Sequence, residues 1–197
     1  NGGTLTIQER TIIKAEDGQG TDATALVIAK GGTLTANGTA ESPIVFTDKA
    51  DQLSYSNTDR ISPNRVATDT GKWGGLIILG QATVGEDGGE DDIEGIATGY
   101  EWTKYGGSLD TDSSGTLNYI SIRHSGTALG NGDEIQGLTL GGVGSGTNVT
   151  NIEIVGSDDD GIEIFGGTVN VTNLTIWAQS DDAVDLDEGY AGTIDNV

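Results

Sequence analysis

Two stretches decide the architecture: NVTNIEIVGSDDDGIEIF (Asn148–Phe165) and NVTNLTIWAQSDDAVDLD (Asn170–Asp187), which superpose at an offset of 22 residues. Asn148, Val149, Thr150, Asn151, Ile154, Asp159 and Asp160 recur unchanged as Asn170, Val171, Thr172, Asn173, Ile176, Asp181 and Asp182. Ile152/Leu174, Ile162/Val184, Glu163/Asp185 and Ile164/Leu186 are conservative pairs. A weaker copy, TLNYISIRHSG (Thr116–Gly126), precedes them, and another begins at TIDNV (Thr193–Val197). Each unit alternates apolar and polar residues over short runs separated by Gly, Asn and Asp, the period-2 pattern of strands joined by tight turns. A unit of this length cannot bury its own apolar side, so repetition implies stacking into a continuous core.

The N-terminal part repeats differently. GGTLTIQERTIIKA (Gly2–Ala15) matches GGTLTANGTAESPIVFTD (Gly31–Asp48), with ALVIAKGG (Ala25–Gly32) between them. The predicted fold is all-β, a single-stranded right-handed parallel β-helix forming one domain over residues 1–197. Its expected core column includes Leu5, Ile7, Ile28, Leu34, Ile77, Leu79, Ile120, Leu138, Leu140, Ile154, Ile164, Leu174 and Leu186. Two segments break the rhythm and read as loop insertions, the polar 49–72 and the acidic, Gly-rich 85–114. No polar cap is visible at either end and residue 1 is Asn, so the expectation is a trimmed piece of a longer chain, with open strand edges that invite end-to-end association.

Composition narrows the function classes. There are 33 glycines in 197 residues, no cysteine and no methionine, and the formal charge is −22 from 31 acids against 9 bases. Such a charge repels nucleic acid and anionic membrane surfaces and favours divalent cations. No apolar run is long enough to insert in a bilayer.

The stretches GKWGGLIILGQA (Gly71–Ala82), YGGSLDTDSSGTLNYISIRHSG (Tyr105–Gly126), NGDEIQGLTLGGVGSGTNV (Asn131–Val149), DDDGIEIFGGTVN (Asp158–Asn170) and DDAVDLDEGYAG (Asp181–Gly192) resemble a family of secreted bacterial parallel β-helix proteins. These are surface proteins and lipoproteins of Bacteroidetes and marine bacteria. The resemblance implies an extracellular or outer-cell-surface location. It brings no agreed activity and no catalytic residues.

Stacking gives the acids their interest. Neighbouring parallel strands lie about 4.8 Å apart, which sets Asp159 over Asp181, Asp160 over Asp182 and Glu163 over Asp185. Like charges so close repel by roughly 1 kcal/mol per pair in water and several-fold more when buried. No Lys or Arg follows Arg123 to relieve them. Two readings stand: the aspartates cap turns through their own backbone, or Asp159, Asp160, Glu163, Asp181, Asp182, Asp185 and Asp187 hold a structural cation, for which calcium is the candidate cofactor. DTDSSG (Asp110–Gly115) and DLDEG (Asp185–Gly189) are loose calcium-loop patterns without the full EF-hand spacing. A catalytic reading would fall on Asp160, Asp182 and His124, the sole histidine, but no catalytic constellation is legible and a histidine beside a turn reads first as packing. Tyr100, Trp102 and Tyr105, in the second insertion, are candidate sugar-stacking residues; Trp73 and Trp177 read as packing residues.

Taken together, the residues favour a structural or adhesive extracellular module of a surface or fibre-forming protein, partnered by copies of itself or by a cell-surface polysaccharide. The alternative is a calcium-assisted, carbohydrate-active β-helix, a polysaccharide lyase or glycoside hydrolase.

Overall fold

A computed structural model describes residues 2–56, 60–130 and 132–197; residues 57–59 of the first predicted insertion, and Asn131, lie outside them. The chain makes successive passes. The first holds β1 (Thr4–Ile7), β2 (Ile12–Ala15) and β3 (Ala25–Ile28), and the second β4 (Thr33–Asn37), β5 (Ile44–Asp48) and β6 (Gly75–Leu79). A hairpin, β7 (Glu90–Asp92) and β8 (Lys104–Gly106), precedes the third pass. That pass holds β9 (Gly115–Ser125), a second hairpin of β10 (Thr127–Gly130) and β11 (Asp133–Ile135), and β12 (Leu138–Gly141). Then follow β13 (Asn148–Ser157) with β14 (Ile162–Phe165), β15 (Asn170–Trp177) with β16 (Val184–Asp187), and β17 (Thr193–Asp195).

Two parallel sheets result. One has the order β16-β14-β12-β6-β3; the other, of eight strands, runs β1-β4-β9-β13-β15-β17, with β2 and β5 continuing it beside β9. The predicted offset is realised residue for residue: Asn148 pairs with Asn170, Ile152 with Leu174 and Ile162 with Val184. The eight-stranded sheet bends where the backbone turns left-handed, at Tyr119, Asn151, Asn173 and Asn196 with φ of 48°, 54°, 56° and 60°. Asparagine tolerates that region better than most side chains, and its amide is used as well. Asn118 Nδ2 donates to Asn37 Oδ1 (2.8 Å), Asn151 to Asn118 (2.9 Å), Asn173 to Asn151 (3.0 Å) and Asn196 to Asn173 (2.7 Å). The recurring Asn of the sequence is thus a hydrogen-bonded ladder along the bend.

Inside both sheets lies one core, built from Leu34, Ile44, Phe46, Leu76, Ile78, Leu117, Ile122, Leu138, Leu140, Ile152, Ile154, Ile162, Ile164 and their neighbours. Burial of each such side chain contributes about 1.5–3 kcal/mol. Trp73 joins it as expected, stacked on Phe46 at 6.5 Å with its Nε1 donating to the Arg123 carbonyl at 2.8 Å. Expectations at five residues need correction. Ile77 and Leu79 point away from this core because alternation sends Leu76 and Ile78 inward. They form a second cluster with Val84, Ile93, Tyr105, Ile135 and Phe165. The residues between β6 and β9, with the β10–β11 hairpin, lie over the outer face of the five-stranded sheet. This is why GLIIL reads as an unbroken apolar run. Leu5 and Leu186 are 40% and 49% exposed because their strands have a neighbouring pass on one side only, and Trp177, on the outward side of β15, is 66% exposed rather than packed.

Between β5 and β6 the described residues contain no strand. This segment is tied down by Arg65, which grips the buried Asp48 carboxylate through Nη2–Oδ1 (2.6 Å) and Nε–Oδ2 (2.9 Å). Its Asp69 carbonyl lies over Gly156, where φ is +72° and a Cβ would come within 2.5 Å of that oxygen.

The second cluster makes the outer face of β6 as sensitive as the inner one. Ile77→Ala and Leu140→Ala should each cost about 2–5 kcal/mol in urea unfolding, whereas Leu186→Ala should cost under about 0.5 kcal/mol. A near-neutral Ile77→Ala would show that face to be uncovered.

Candidate functional site

The acid corner is assembled at the ends and on the outer face of β14 and β16. Ile162 and Ile164 face the core, so Glu163 faces out, directly beside Asp185 in the parallel register. On the other side its neighbour is Thr139, then Ile77. Two segments roof this row: Gln136, just after β11, donates Nε2 to Glu94 Oε1 at 2.9 Å and accepts from Thr139 Oγ1 at 2.7 Å. Glu163 is left only 7% exposed and Asp160, in the turn before β14, 6%.

Five of the seven predicted acids converge. Asp160, Asp181 and Asp182 form one trio, and Asp160, Glu163 and Asp185 another, each with carboxylate oxygens within 4.8 Å of one another. Asp159 flanks them half-buried. Asp187 stands apart, accepting the Glu188 N–H at 2.8 Å. Turn capping is real at Asp160, but across passes rather than within its own turn: Oδ1 accepts the Asp182 N–H at 2.8 Å.

The electrostatics are one-sided. Burial, more than any neighbour, pushes Asp160 up to about 6, even against the Asp182 N–H bond; Asp159, Asp185 and Asp181 add to the shift. Burial likewise raises Glu163 and Glu94, and each raises the other's cost of ionising or shares its proton. Asp159 and Glu134 are raised by burial and then by carboxylate neighbours. Among the described residues, the four ion pairs all lie elsewhere, at Lys30–Glu90, Lys49–Glu16, Arg65–Asp48 and Arg123–Glu153. Glu94, Glu134 and Gln136 could not be found by repeat alignment, because they come from segments that do not repeat.

A second acid trio, Glu86, Asp91 and Glu188, lies outside the acid rows that the repeat predicts. It forms where the β7–β8 segment meets the turn after β16, and Tyr105 donates its hydroxyl to Glu188 Oε1 at 2.5 Å. Tyr105 is therefore not an open sugar platform. It is 2% exposed and packs on Phe165 at 6.0 Å. Tyr100 and Trp102 do stay open, 56% and 45% exposed, with rings stacked at 6.0 Å and 23°.

His124 is 3% exposed with Nδ1 at 2.7 Å from the Asp69 carbonyl, and burial lowers its pKa below the usual histidine range. It packs residues 69–72 against β9 and is almost wholly covered. The aspartates of DTDSSG hold the 81–83 stretch: Asp110 Oδ1 accepts the Thr83 N–H (3.0 Å), and buried Asp112 accepts from the Gln81 backbone N–H (3.2 Å) and side-chain Nε2 (3.0 Å).

These shifts fix a sign. A carboxyl whose pKa is raised on folding holds its proton in the native state after the unfolded chain has lost it, so stability falls as pH rises through that window. In chelator, the contribution of Asp160 to unfolding free energy should decline from about pH 4 through 6 as it ionises, and those of Glu94 and Glu163 beyond it, while buried His124, held low, contributes a slope of opposite sign. Asp160→Asn should flatten the pH 4–6 part, while Asp187→Asn, the same charge change at an exposed position, should leave the slope in place. Urea unfolding at fixed ionic strength measures both; equal slopes in the two variants would refute the assignment.

Comparison with curated proteins and with solved structures returns no match. The family model described as a pectate-lyase-like beta helix domain matches residues 1–197. With its parallel sheets, shared core and repeating passes, the chain belongs to the pectate-lyase-like β-helix domain family.

Proposed function

We propose that this chain is a right-handed, single-stranded parallel β-helix serving as a structural or adhesive module of an extracellular bacterial surface or fibre protein, with calcium held by its acid rows. The observation that carries the reading is carboxylate stacked on carboxylate, under cover and without a base: Asp160 and Glu163 are almost fully buried among Asp181, Asp182, Asp185 and Glu94. Such a cluster needs protons or a cation. Calcium takes six to eight oxygen ligands in flexible geometry, which suits two trios sharing Asp160. Bound there, it would neutralise the corner and tie the covering segments to the stacked passes. Partners in this reading are further copies of the chain or a surface polysaccharide. Among the described residues, no helix is long and apolar enough to cross a membrane.

One observation favours a carbohydrate-active role as the second reading. A carboxyl held up to about 6 by burial with further carboxyl groups around it resembles the paired carboxyls that glycoside hydrolysis uses, one group giving a proton and the other activating water or attacking. Release of reducing ends or unsaturated sugars from a polysaccharide panel, abolished by Asp182→Asn, would favour the enzyme.

The cation reading is tested by melting at pH 8. Calcium at about 100-fold its Kd should stabilise by about 2.7 kcal/mol, raising Tm by roughly 5–10 °C for a chain of this size. The Asp160→Asn, Glu163→Gln double variant should melt above the calcium-free wild type and ignore calcium. A Tm indifferent to calcium in the wild type would overturn it.

A further inference from the structure

The stretch GYEWTKYGG (Gly99–Gly107) carries three aromatics, and the fold treats them differently. Tyr105, on β8, turns into the second core, while Tyr100 and Trp102, in the turn before it, stack on each other and remain open. Neither ring is needed to fill a core. Trp102 stands on the boundary between two adjoining hollows beside β3, of about 520 and 830 Å³, and lines both. The smaller hollow is edged by Thr4, Lys30 and Glu101; the larger has an apolar floor on β3 and Thr21 and Asp133 on its rim.

We propose that the Tyr100–Trp102 pair is a stacking platform for a neutral glycan, one sugar ring lying on Trp102 and the next units descending into the hollows on either side. The chemistry selects a sugar. An exposed indole offers a flat, electron-rich face, which complements the electropositive C–H face of a pyranose. The threonine hydroxyls and carboxylates around it suit the hydroxyl rim of the same ring, following the rule that ligand sites combine apolar walls with a few polar groups. Charge selects a neutral one. Lys30 is the sole base lining either hollow and is paired with Glu90, and with Glu101 and Asp133 at the rim and −22 overall, uronate or sulfated chains are repelled. This site is separate from the acid rows and goes beyond the cation reading, naming a ligand class for the adhesive role.

Calorimetric titration of the whole chain with cellohexaose, xylohexaose, mannohexaose, laminarihexaose and polygalacturonate tests it, in calcium and in chelator. At least one neutral hexasaccharide should bind in both conditions and polygalacturonate should not. Trp102→Ala should weaken binding about tenfold or more, the equivalent of one tenfold step in Kd per lost stacking face, and Tyr100→Ala should weaken it less. Trp177→Ala, the other exposed indole, should leave it unchanged, and circular dichroism should be the same for all three variants because these rings are open. A flat titration with every neutral sugar, Trp102→Ala binding as tightly as wild type, binding of polygalacturonate alone, or occlusion of Trp102 that follows protein concentration would each overturn the proposal. Failure of the cation reading is seen separately, as a calcium-indifferent Tm.

Discussion

Everything in this molecule follows from parallel, in-register stacking of one pass on the next, about 4.8 Å away. In register, each side chain meets its counterpart. For Ile152 over Leu174 or Ile162 over Val184 that is favourable, since like apolar side chains bury one another. For Asn118, Asn151, Asn173 and Asn196 it is favourable too, because an amide is both donor and acceptor and a ladder satisfies each with the next. For Glu163 over Asp185, and Asp160 beside Asp182, the same register sets charge against like charge. The architecture that makes the core also makes the acid corner costly, and a proton or a cation must offset that cost.

Burial sharpens the conflict. On an open sheet face the acids would be screened by water and salt. Here the residues around Glu94 and Gln136 cover Glu163, and the ordering of that cover depends on the apolar contacts of Ile77, Leu79, Ile93, Tyr105, Ile135 and Phe165. Those contacts hold two segments over a face that would otherwise be solvated. The covering segments thus do two things at once: they complete a second core and they desolvate carboxylates.

How far the sequence could be read follows from what repeats. The 22-residue offset was legible because parallel stacking copies the same demands onto each pass, and the pairing of Asn148 with Asn170 matches it residue for residue. The inward set was legible in the middle passes, where alternation is undisturbed, but not at β6, where both faces are buried and GLIIL carries no phase. The convergence of Asp160, Glu163, Asp181, Asp182 and Asp185 was legible for the same reason as the fold. Glu94, Gln136 and the Glu86–Asp91–Glu188 trio were not, because they arise from segments that do not repeat and whose docking is a tertiary event. Tyr105 could not be told from Tyr100 and Trp102 by composition; what separates them is that it lies on β8, whose alternation turns its ring onto Phe165 and its hydroxyl onto Glu188.

The central claim is that stacked, covered carboxylates at this corner hold protons until a cation replaces them. Its most direct test is a ¹³C NMR titration of the Asp160 side-chain carboxyl, with and without calcium. In chelator the midpoint should lie at about 6; with calcium bound it should fall below the ordinary aspartate value of about 3.9. An ordinary midpoint in chelator that calcium leaves unmoved would contradict the account.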